Sequence, residues 1–197
     1  MAETFVSMDL KIKQLESIKL KLHIGCGKKY ISGYKHLDVI DFEHVDFVCD
    51  TRKLSMIGDA TVSEIYACHI LEHVERNEVV TVLKEWNRVL KVGGVLRVAV
   101  PDFEAIVAEY QESKGLNRFQ GLLYGGQTYD YNFHHVAFDV EVLTSFLTEA
   151  GFTKTSRYNW REFLPKGYDD FSRAYLPHMD FENGRSMSLN IISIKSK

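Results

Sequence analysis

Apolar residues follow two different spacings along the chain, and the two spacings alternate. Short runs of apolar, β-branched and aromatic residues predict strands at 20–25, 35–41, 44–50, 63–70, 94–102, 152–160 and 186–197. Apolar residues three or four positions apart predict helices over 3–19 and 77–91, from Phe103 onward, and from Asp139 to Gly151. Strands that alternate with helices indicate an α/β fold with a mostly parallel sheet covered on both faces. We therefore expect residues 1–197 to form a single domain.

Two stretches depart from this alternation. Residues 113–135 are polar, rich in glycine and aromatic residues, and without a clear period. Residues 160–186 combine mixed charge with two prolines and lack a period as well, so we expect an ordered insertion that closes over the ligand site. The first stretch follows the fifth predicted strand.

The first predicted strand stops at Gly25-Cys26-Gly27. Glycine lacks a Cβ atom, so both glycines allow a ligand to lie against the main chain, although a plain tight turn is the alternative. The dinucleotide fingerprint G-x-G-x-x-G is incomplete, because Tyr30 stands at its last position. The residues that follow lack a helical pattern, so we expect the first crossover helix to be short or replaced by a loop. Ligands of parallel α/β sheets bind beyond the carboxyl ends of the strands, where these glycines lie.

Acidic residues follow the next two strands at the same edge of the predicted sheet. Asp38 can accept hydrogen bonds from both hydroxyls of a ribose, with Asp41 as the fallback and a solvated strand-end acid as the alternative. Asp50 can receive the amino group of an adenine, with help from Thr51. The assignment of Asp50 and Thr51 is weak alone.

Five motifs occur in order along the chain, namely LHIGCG, HLDV, VCD, IYACHILEHV and EWNRVLKVGGVLRVAVPD. In order and spacing they resemble the class I S-adenosylmethionine-dependent methyltransferases, and most of all their small methyltransferase type 11-like members, a predicted group associated with sugars and polysaccharides. The resemblance runs from about residue 20 to 155. It implies a Rossmann-like fold with a seven-stranded, mostly parallel sheet, an antiparallel last strand and helices on both faces. It also implies S-adenosyl-L-methionine as the cofactor and S-adenosyl-L-homocysteine as the product.

The resemblance assigns cofactor contacts to residues at the ends of four strands. The methionine part would lie on Gly25, Cys26 and Gly27, the ribose on Asp38, the adenine beside Asp50 and Thr51, and the sulfonium near His69 and Ile70.

The acceptor side is predicted in the segment YDYNFHHVAFD, residues 129–139. A hydroxyl acceptor needs a base for its proton, and histidine suits neutral pH. His134 and His135 are adjacent, so in an extended segment only one faces the site. We expect His134, because related methyltransferases commonly carry a histidine shortly before this FD, with His135 second. Hydrogen bonding within the loop is the alternative.

Four further residues are candidates for substrate contacts. Asp102 could polarise the acceptor, or it could simply cap the helix that starts at Phe103. Tyr129, Tyr131 and Trp160 could form a lid or a stacking surface for a sugar, with core packing as the alternative.

His69, Glu72 and His73 spell H-x-x-E-H, which is an inverted zinc-peptidase pattern. Such a zinc hydrolase needs both histidines on one helix face, whereas His69 is predicted at a strand end and the helix only near Asn77. The glycine turn would also remain unexplained. We therefore expect no metal, and structural roles for Glu72 and His73.

Composition and charge narrow the function further. A net charge of -3 and a pI of about 6.2 argue against binding of nucleic acid through its phosphates. The chain shows no secretory signal, no membrane-spanning apolar run, and three cysteines that do not form a disulfide framework, so we expect a cytoplasmic protein. The sequence predicts O-methylation of a small molecule or sugar. N-methylation, a non-catalytic cofactor-binding subunit and a nicotinamide-dependent oxidoreductase are the alternatives.

Overall fold

The structure of the protein, a computed structural model, describes residues 19–197. The helix predicted over 3–19 lies outside the described residues, apart from Lys19. The strands are, in chain order, β1 (Leu20–Ile24), β2 (Lys35–Asp38), β3 (Phe47–Val48), β4 (Val62–Cys68), β5 (Leu90–Pro101), β6 (Phe152–Arg157), β7 (Tyr175–Leu176), β8 (Arg185–Ser186) and β9 (Ser188–Lys195). The α-helices are α1 (Val79–Val89), α2 (Phe103–Ser113), α3 (Gln120–Tyr124), α4 (Val140–Glu149) and α5 (Trp160–Phe163). Within residues 19–197 no helix is both long enough and apolar enough to span a membrane.

Seven strands form one mixed sheet in the order β3-β2-β1-β4-β5-β9-β6. The pairs from β3 to β5 are parallel, whereas β9 runs antiparallel to both β5 and β6. This topology confirms the predicted Rossmann-like methyltransferase fold. Because β1 has β2 on one side and β4 on the other, the strand order reverses there and opens a crevice at the carboxyl ends of the strands.

One face of the sheet carries the main hydrophobic core. Leu22 of β1 and Ile65 of β4 are fully buried there, together with the apolar stripes of α1 and α4. Trp86 and Leu143 are the fully buried centres of these two stripes. Truncation of a buried tryptophan to alanine lowers the free energy of unfolding by about 3–5 kcal/mol. The packing of Trp86 therefore holds α1 against the sheet.

The opposite face is covered by the 160–186 segment. Strand side chains alternate between faces, so Tyr66 points away from the core that contains Ile65. Tyr66 is fully buried against Phe163 of α5, and its hydroxyl donates a hydrogen bond of 2.6 Å to Asp170. The same segment contains the hairpin β7–β8. Helices thus lie on both faces as predicted, although α5 is only a single turn.

The second and third strands are shorter than predicted. β2 ends at Asp38 because the side chain of Asp38 accepts the N–H of Ile40, which turns the chain out of the sheet. Residues 25–34 form turns rather than a helix, as the sequence indicated.

The start of α1 also differs from the predicted one. Its N-cap residue is Glu78, which makes no side-chain capping bond, and the helix begins at Val79 rather than at the predicted residue 77. The strand β5 begins at Leu90, directly after the helix and earlier than the predicted strand over 94–102. Leu90 already has extended dihedral angles and pairs with Val62 of β4.

Candidate active site

A cavity of about 710 Å³ lies at the carboxyl ends of β1, β2 and β4, where the strand order reverses. Gly25, Gly27 and Asp38 line one end of this cavity, which we call the glycine end. The other end is lined by side chains that follow β4 and by residues 129–135, and we call it the histidine end.

Gly25 and Gly27 are both required to be glycine, but for different reasons. Gly25 has a φ of +61°, and a Cβ atom built on it would lie 2.0 Å from Cδ1 of Ile70. The space beside Gly25 is therefore filled by the protein itself. Gly27 has a φ of +53°, and a Cβ built there meets no atom within 4 Å. Gly27 thus presents bare main chain to the open cavity, which is what close approach of a ligand needs.

Asp38 holds the glycine bend in place. Its Oδ2 atom accepts the N–H of Gly27 at 2.7 Å, and its Oδ1 atom accepts the N–H of Ile40 at 2.9 Å. The residue is buried at the cavity wall. Each carboxylate oxygen keeps one further lone pair, so the group can still accept hydrogen bonds from two neighbouring hydroxyls.

Asp50 and Thr51 both line the cavity, but Asp50 is already paired. The guanidinium of Arg52 donates to both Asp50 oxygens, at 2.7 Å from Nη2, and this hydrogen bonding holds the pKa of Asp50 below its usual value. Thr51 is buried, and its carbonyl accepts the indole N–H of Trp86 at 2.9 Å. A bond from Asp50 to an adenine therefore stays a prediction, and it would have to share the carboxylate with Arg52.

Cys26 lies outside the cavity lining, unlike its two glycine neighbours. Its side chain is buried, and Sγ lies 3.7 Å from Nε2 of His44. Burial, with a smaller effect of Asp38, raises the pKa of the Cys26 thiol to about 12. Cys26 can therefore offer a ligand only its main chain.

His69 and Ile70 line the middle of the cavity. His69 has a φ of +54°, which is unusual for a residue with a Cβ. Its Nδ1 atom lies 3.1 Å from Oε1 of Glu72, and its Nε2 atom lies 3.0 Å from the hydroxyl of Ser188 on β9. The imidazole is thus held from both sides in a strained backbone position.

Glu72 is fully buried beneath the histidine end. Within the described part of the chain, no donor is aligned for a hydrogen bond to either carboxylate oxygen, although His69 is close to Oε1. Burial acts to raise the pKa of Glu72, but the charge of the adjacent His69, with His73 and His134 nearby, lowers it overall. Glu72 is therefore a carboxylate that faces three imidazoles.

His73 and His134 form the wall above Glu72. Their rings lie edge to face, with centroids 4.7 Å apart at 85°. Nδ1 of His73 is 3.1 Å from the carbonyl of Phe133, and Nδ1 of His134 is 3.0 Å from the carbonyl of Leu122. One ligand atom from each of Glu72, His73 and His134 lies within 4.8 Å of the others.

The two histidine candidates differ in surroundings. His134 is half-buried, and burial lowers its pKa below the usual value. His135 is exposed and lines the cavity, and its backbone N–H donates to the carbonyl of Glu72 at 2.8 Å. Tyr129 and Tyr131 line the same end as largely exposed side chains.

Asp102 and Trp160 lie outside this cavity. Asp102 caps α2 by accepting the N–H groups of Glu104 and Ala105, and it also accepts a hydrogen bond of 3.1 Å from Arg157. The alternative of helix capping therefore describes Asp102 better than substrate contact. The ring of Trp160 lies 4.6 Å from the guanidinium of Arg173 and packs within the 160–186 segment.

The zinc-peptidase arrangement of His69, Glu72 and His73 is not formed. Leu71–His73 is a single 3-10 turn, and His69 precedes it in a left-handed conformation, so the two histidines do not share a helix face. Glu72 and His73 nevertheless line the cavity, whereas the sequence predicted only structural roles for them. The H-x-x-E-H pattern drew attention to Glu72 and His73, but it grouped them with His69, whereas in the structure His134 also lies beside them.

Comparisons with known proteins agree with the fold. The family described as methyltransferase domain matches residues 34–98. A methyltransferase from Methanosarcina mazei is 18% identical, with a TM-score of 0.55 over 89% of this chain and 92% of that one. One from Archaeoglobus fulgidus is 14% identical, with a TM-score of 0.55 over 96% and 92%. The Burkholderia thailandensis 1,6-didemethyltoxoflavin-N1-methyltransferase, solved with S-adenosylhomocysteine, is 16% identical, with a TM-score of 0.54 over 90% and 71%.

No curated protein matches the sequence. The association with sugars and polysaccharides therefore stays a prediction. The match over residues 34–98 and the shared fold confirm the resemblance drawn from the motifs, in which the fold is that of the class I methyltransferases and the cofactor is S-adenosylmethionine.

Proposed function

We propose that the protein transfers a methyl group from S-adenosylmethionine to a hydroxyl oxygen of a small molecule or sugar. The observation that carries the proposal is a single cavity with the bare main chain of Gly27 and the carboxylate of Asp38 at one end, and the imidazoles of His73 and His134 at the other. Ends of this kind suit a nucleoside-bearing cofactor and an acceptor that must lose a proton.

The glycine end fits the cofactor. Gly27 offers main chain without a side chain, and Asp38 offers two oxygens with free lone pairs beside it. Asp50 and Thr51 border the far side of this end. When bound, S-adenosylmethionine supplies a methyl group on positively charged sulfur, and the bonding electron pair stays with the sulfur when the methyl leaves. The protein has to bind and align the two partners, which is where most of the rate gain arises.

The histidine end fits a hydroxyl acceptor. A carbonyl only accepts hydrogen bonds, so Nδ1 of His134 must carry the hydrogen that faces the carbonyl of Leu122. The lone pair of the neutral ring is then on Nε2. Burial lowers the pKa of His134, which keeps this nitrogen unprotonated at neutral pH. His134 can therefore accept the proton of an acceptor hydroxyl, with His135 as the second candidate. The exposed rings of Tyr129 and Tyr131 can cover a sugar.

Two alternatives use the same cavity. A nitrogen acceptor needs less help from a base, and the Burkholderia enzyme compared above is an N-methyltransferase. A non-catalytic subunit would need the glycine end but not the histidine end. Replacement of His134 separates these alternatives from the proposal, because only an oxygen acceptor requires its lone pair.

The remaining expectations concern partners and location. A net charge of -3 favours a small acceptor over nucleic acid, and the three free thiols are consistent with the cytoplasm.

Two measurements test the proposal. Calorimetry should give one S-adenosylhomocysteine per chain with a dissociation constant of micromolar order, about -8 kcal/mol, and no binding of NADH. Transfer of a labelled methyl group to a panel of nucleotide-sugars and glycans should then identify an acceptor. Absence of S-adenosylhomocysteine binding would refute the function, and label on a nitrogen would replace the acceptor class.

A further inference from the structure

We propose that Glu72, His73 and His134 bind one divalent transition-metal ion of the zinc type, and that this ion holds the acceptor hydroxyl. The first part stands on the side chains alone. The second part rests on the proposed function. The sequence led us to expect no metal, and it is the arrangement of these three side chains that changes this expectation.

The three ligand atoms are close enough for one ion. One carboxylate oxygen of Glu72 and one ring nitrogen of each histidine lie within 4.8 Å of one another, whereas bonds of about 2.1 Å in a tetrahedral zinc site place ligand atoms roughly 3.4 Å apart. The side chains would therefore move inward by about 1 Å or less each, which rotation within a rotamer well allows.

Both histidines are held in the form that a metal needs. Nδ1 of His73 faces the carbonyl of Phe133, and Nδ1 of His134 faces the carbonyl of Leu122, so both Nδ1 atoms carry hydrogen. The lone pair of each neutral ring is then on Nε2. A hydrogen bond from the second ring nitrogen to a carbonyl is the usual support of a metal-binding histidine.

Glu72 supplies the strongest reason for a cation. The side chain is fully buried, and in residues 19–197 neither oxygen receives an aligned hydrogen bond. A carboxylate in the protein interior is costly unless both of its oxygens are paired, and here Nδ1 of His69 contacts Oε1 at 3.1 Å while Oε2 has no partner among the described residues. A divalent ion between Glu72 and the two imidazoles would satisfy this carboxylate.

The backbone around the three ligands is already fixed. The N–H of His135 donates to the carbonyl of Glu72 at 2.8 Å, which ties the two ligand-bearing segments together. Gly125 lies against His134, because a Cβ built on Gly125 would be 3.1 Å from Cδ2 of His134 and 2.5 Å from the carbonyl oxygen of Asn132. Little ordering of the chain would remain to oppose binding.

The ligand set indicates the ion and its role. Two imidazoles and one carboxylate, with the remaining positions open to a cavity, form a set typical of catalytic zinc. Magnesium prefers oxygen ligands alone and fits poorly. A hydroxyl that binds at the open position would lose its proton to solvent more easily, because the cation lowers its pKa. The acceptor class is therefore a hydroxyl that can reach this position, and His134 would act as a ligand rather than as the base.

Cobalt(II) titration of chelator-treated, cofactor-free protein tests the site directly. We expect one Co²⁺ per chain, with the visible absorption bands of a low-coordinate nitrogen and oxygen site, and competition by Zn²⁺. Glu72→Gln, His73→Gln and His134→Ala should each weaken binding about 100-fold or more, since loss of a residue that only orients a ligand costs about 10- to 100-fold. His135→Ala is the matched control, and it should leave Co²⁺ affinity unchanged. Circular dichroism verifies the fold of each variant.

Separate binding of S-adenosylhomocysteine distinguishes the two proposals. Stoichiometric Co²⁺ that is lost in the three ligand variants supports the metal site, even if the cofactor fails to bind. Absence of Co²⁺ binding up to about 1 mM, or equal weakening in His135→Ala, overturns it. Because His73 is only half-buried, His73→Gln remains a folded test if the variants of Glu72 do not fold.

Discussion

Gly27 and Gly33 offer a matched pair that isolates ligand contact from backbone strain. Both have positive φ, +53° and +84°, and a Cβ on either meets no atom within 4 Å. Alanine in the left-handed region costs about 1–2 kcal/mol, so each variant should lower the melting temperature by roughly 2–8 °C in a chain of this size. Of these two glycines, Gly27 lines the cavity and Gly33 does not. Gly27→Ala should therefore weaken S-adenosylhomocysteine binding at least about tenfold, or 1.4 kcal/mol, while Gly33→Ala should not.

Calorimetry at one temperature, with thermal melts of each variant, measures both effects. Gly25→Ala completes the series, because its Cβ would collide with Ile70 and add an overpacking cost of about 1–3 kcal/mol to the same backbone strain. Its melting temperature should fall furthest. If Gly27→Ala binds S-adenosylhomocysteine as tightly as Gly33→Ala does, the main chain of Gly27 does not face the cofactor, and the assignment of the glycine end is wrong.

Three further predictions use other parts of the site. Asp38→Asn should reduce S-adenosylhomocysteine affinity about tenfold or more, because hydrogen bonds to a charged acceptor are worth about 1.5–3 kcal/mol. Asp41→Asn is the control and should leave the affinity unchanged. Equal losses of affinity by calorimetry in the two variants would contradict the role of Asp38. His134→Ala should lower turnover about 100-fold with cofactor affinity nearly intact, and a loss confined to His135→Ala would reverse their order. The pKa of Cys26 is raised to about 12, so the side chain holds little thiolate at pH 8. It should therefore react with a thiol reagent about 100-fold more slowly in the folded protein than after denaturation, which peptide mapping of the labelled protein measures.

The glycine end could be predicted from the sequence because it depends on local features. The apolar run of β1 ends just before Gly25, which marks the end of the strand. Because the carboxyl ends of parallel strands meet at one edge of the sheet, Asp38 at the end of β2 is expected near Gly27. What the sequence could not supply was the difference between the two glycines. That difference depends on Ile70, which reaches Gly25 only through the pairing of β1 with β4.

The histidine end was less predictable because it depends on contacts distant in the sequence. His73 and the carbonyl of Phe133 are 60 positions apart, and the path of the chain just before Phe133 is set by the positive φ of Gly125 and by the turn that the N–H of Asn132 closes on the carbonyl of Tyr129. Periodicity carries no information on such a path. The pattern H-x-x-E-H drew attention to Glu72 and His73, but the sequence could not show that His134 lies beside them, because only the fold brings it there.

The contact between His69 and Ser188 links the geometry of the histidine end to strand β9, which pairs antiparallel with β5 and with β6. Ser188 belongs to β9, which is wedged between β5 and β6, and none of the described residues that line the cavity comes from that strand. A brief opening of β9 would release the imidazole of His69 from one of its two supports, and the left-handed backbone would be free to relax. Occupancy of the cavity and closure of the sheet should therefore reinforce each other. Amide hydrogens of β9 should exchange more slowly once a ligand is bound, at a distance from any atom that it touches.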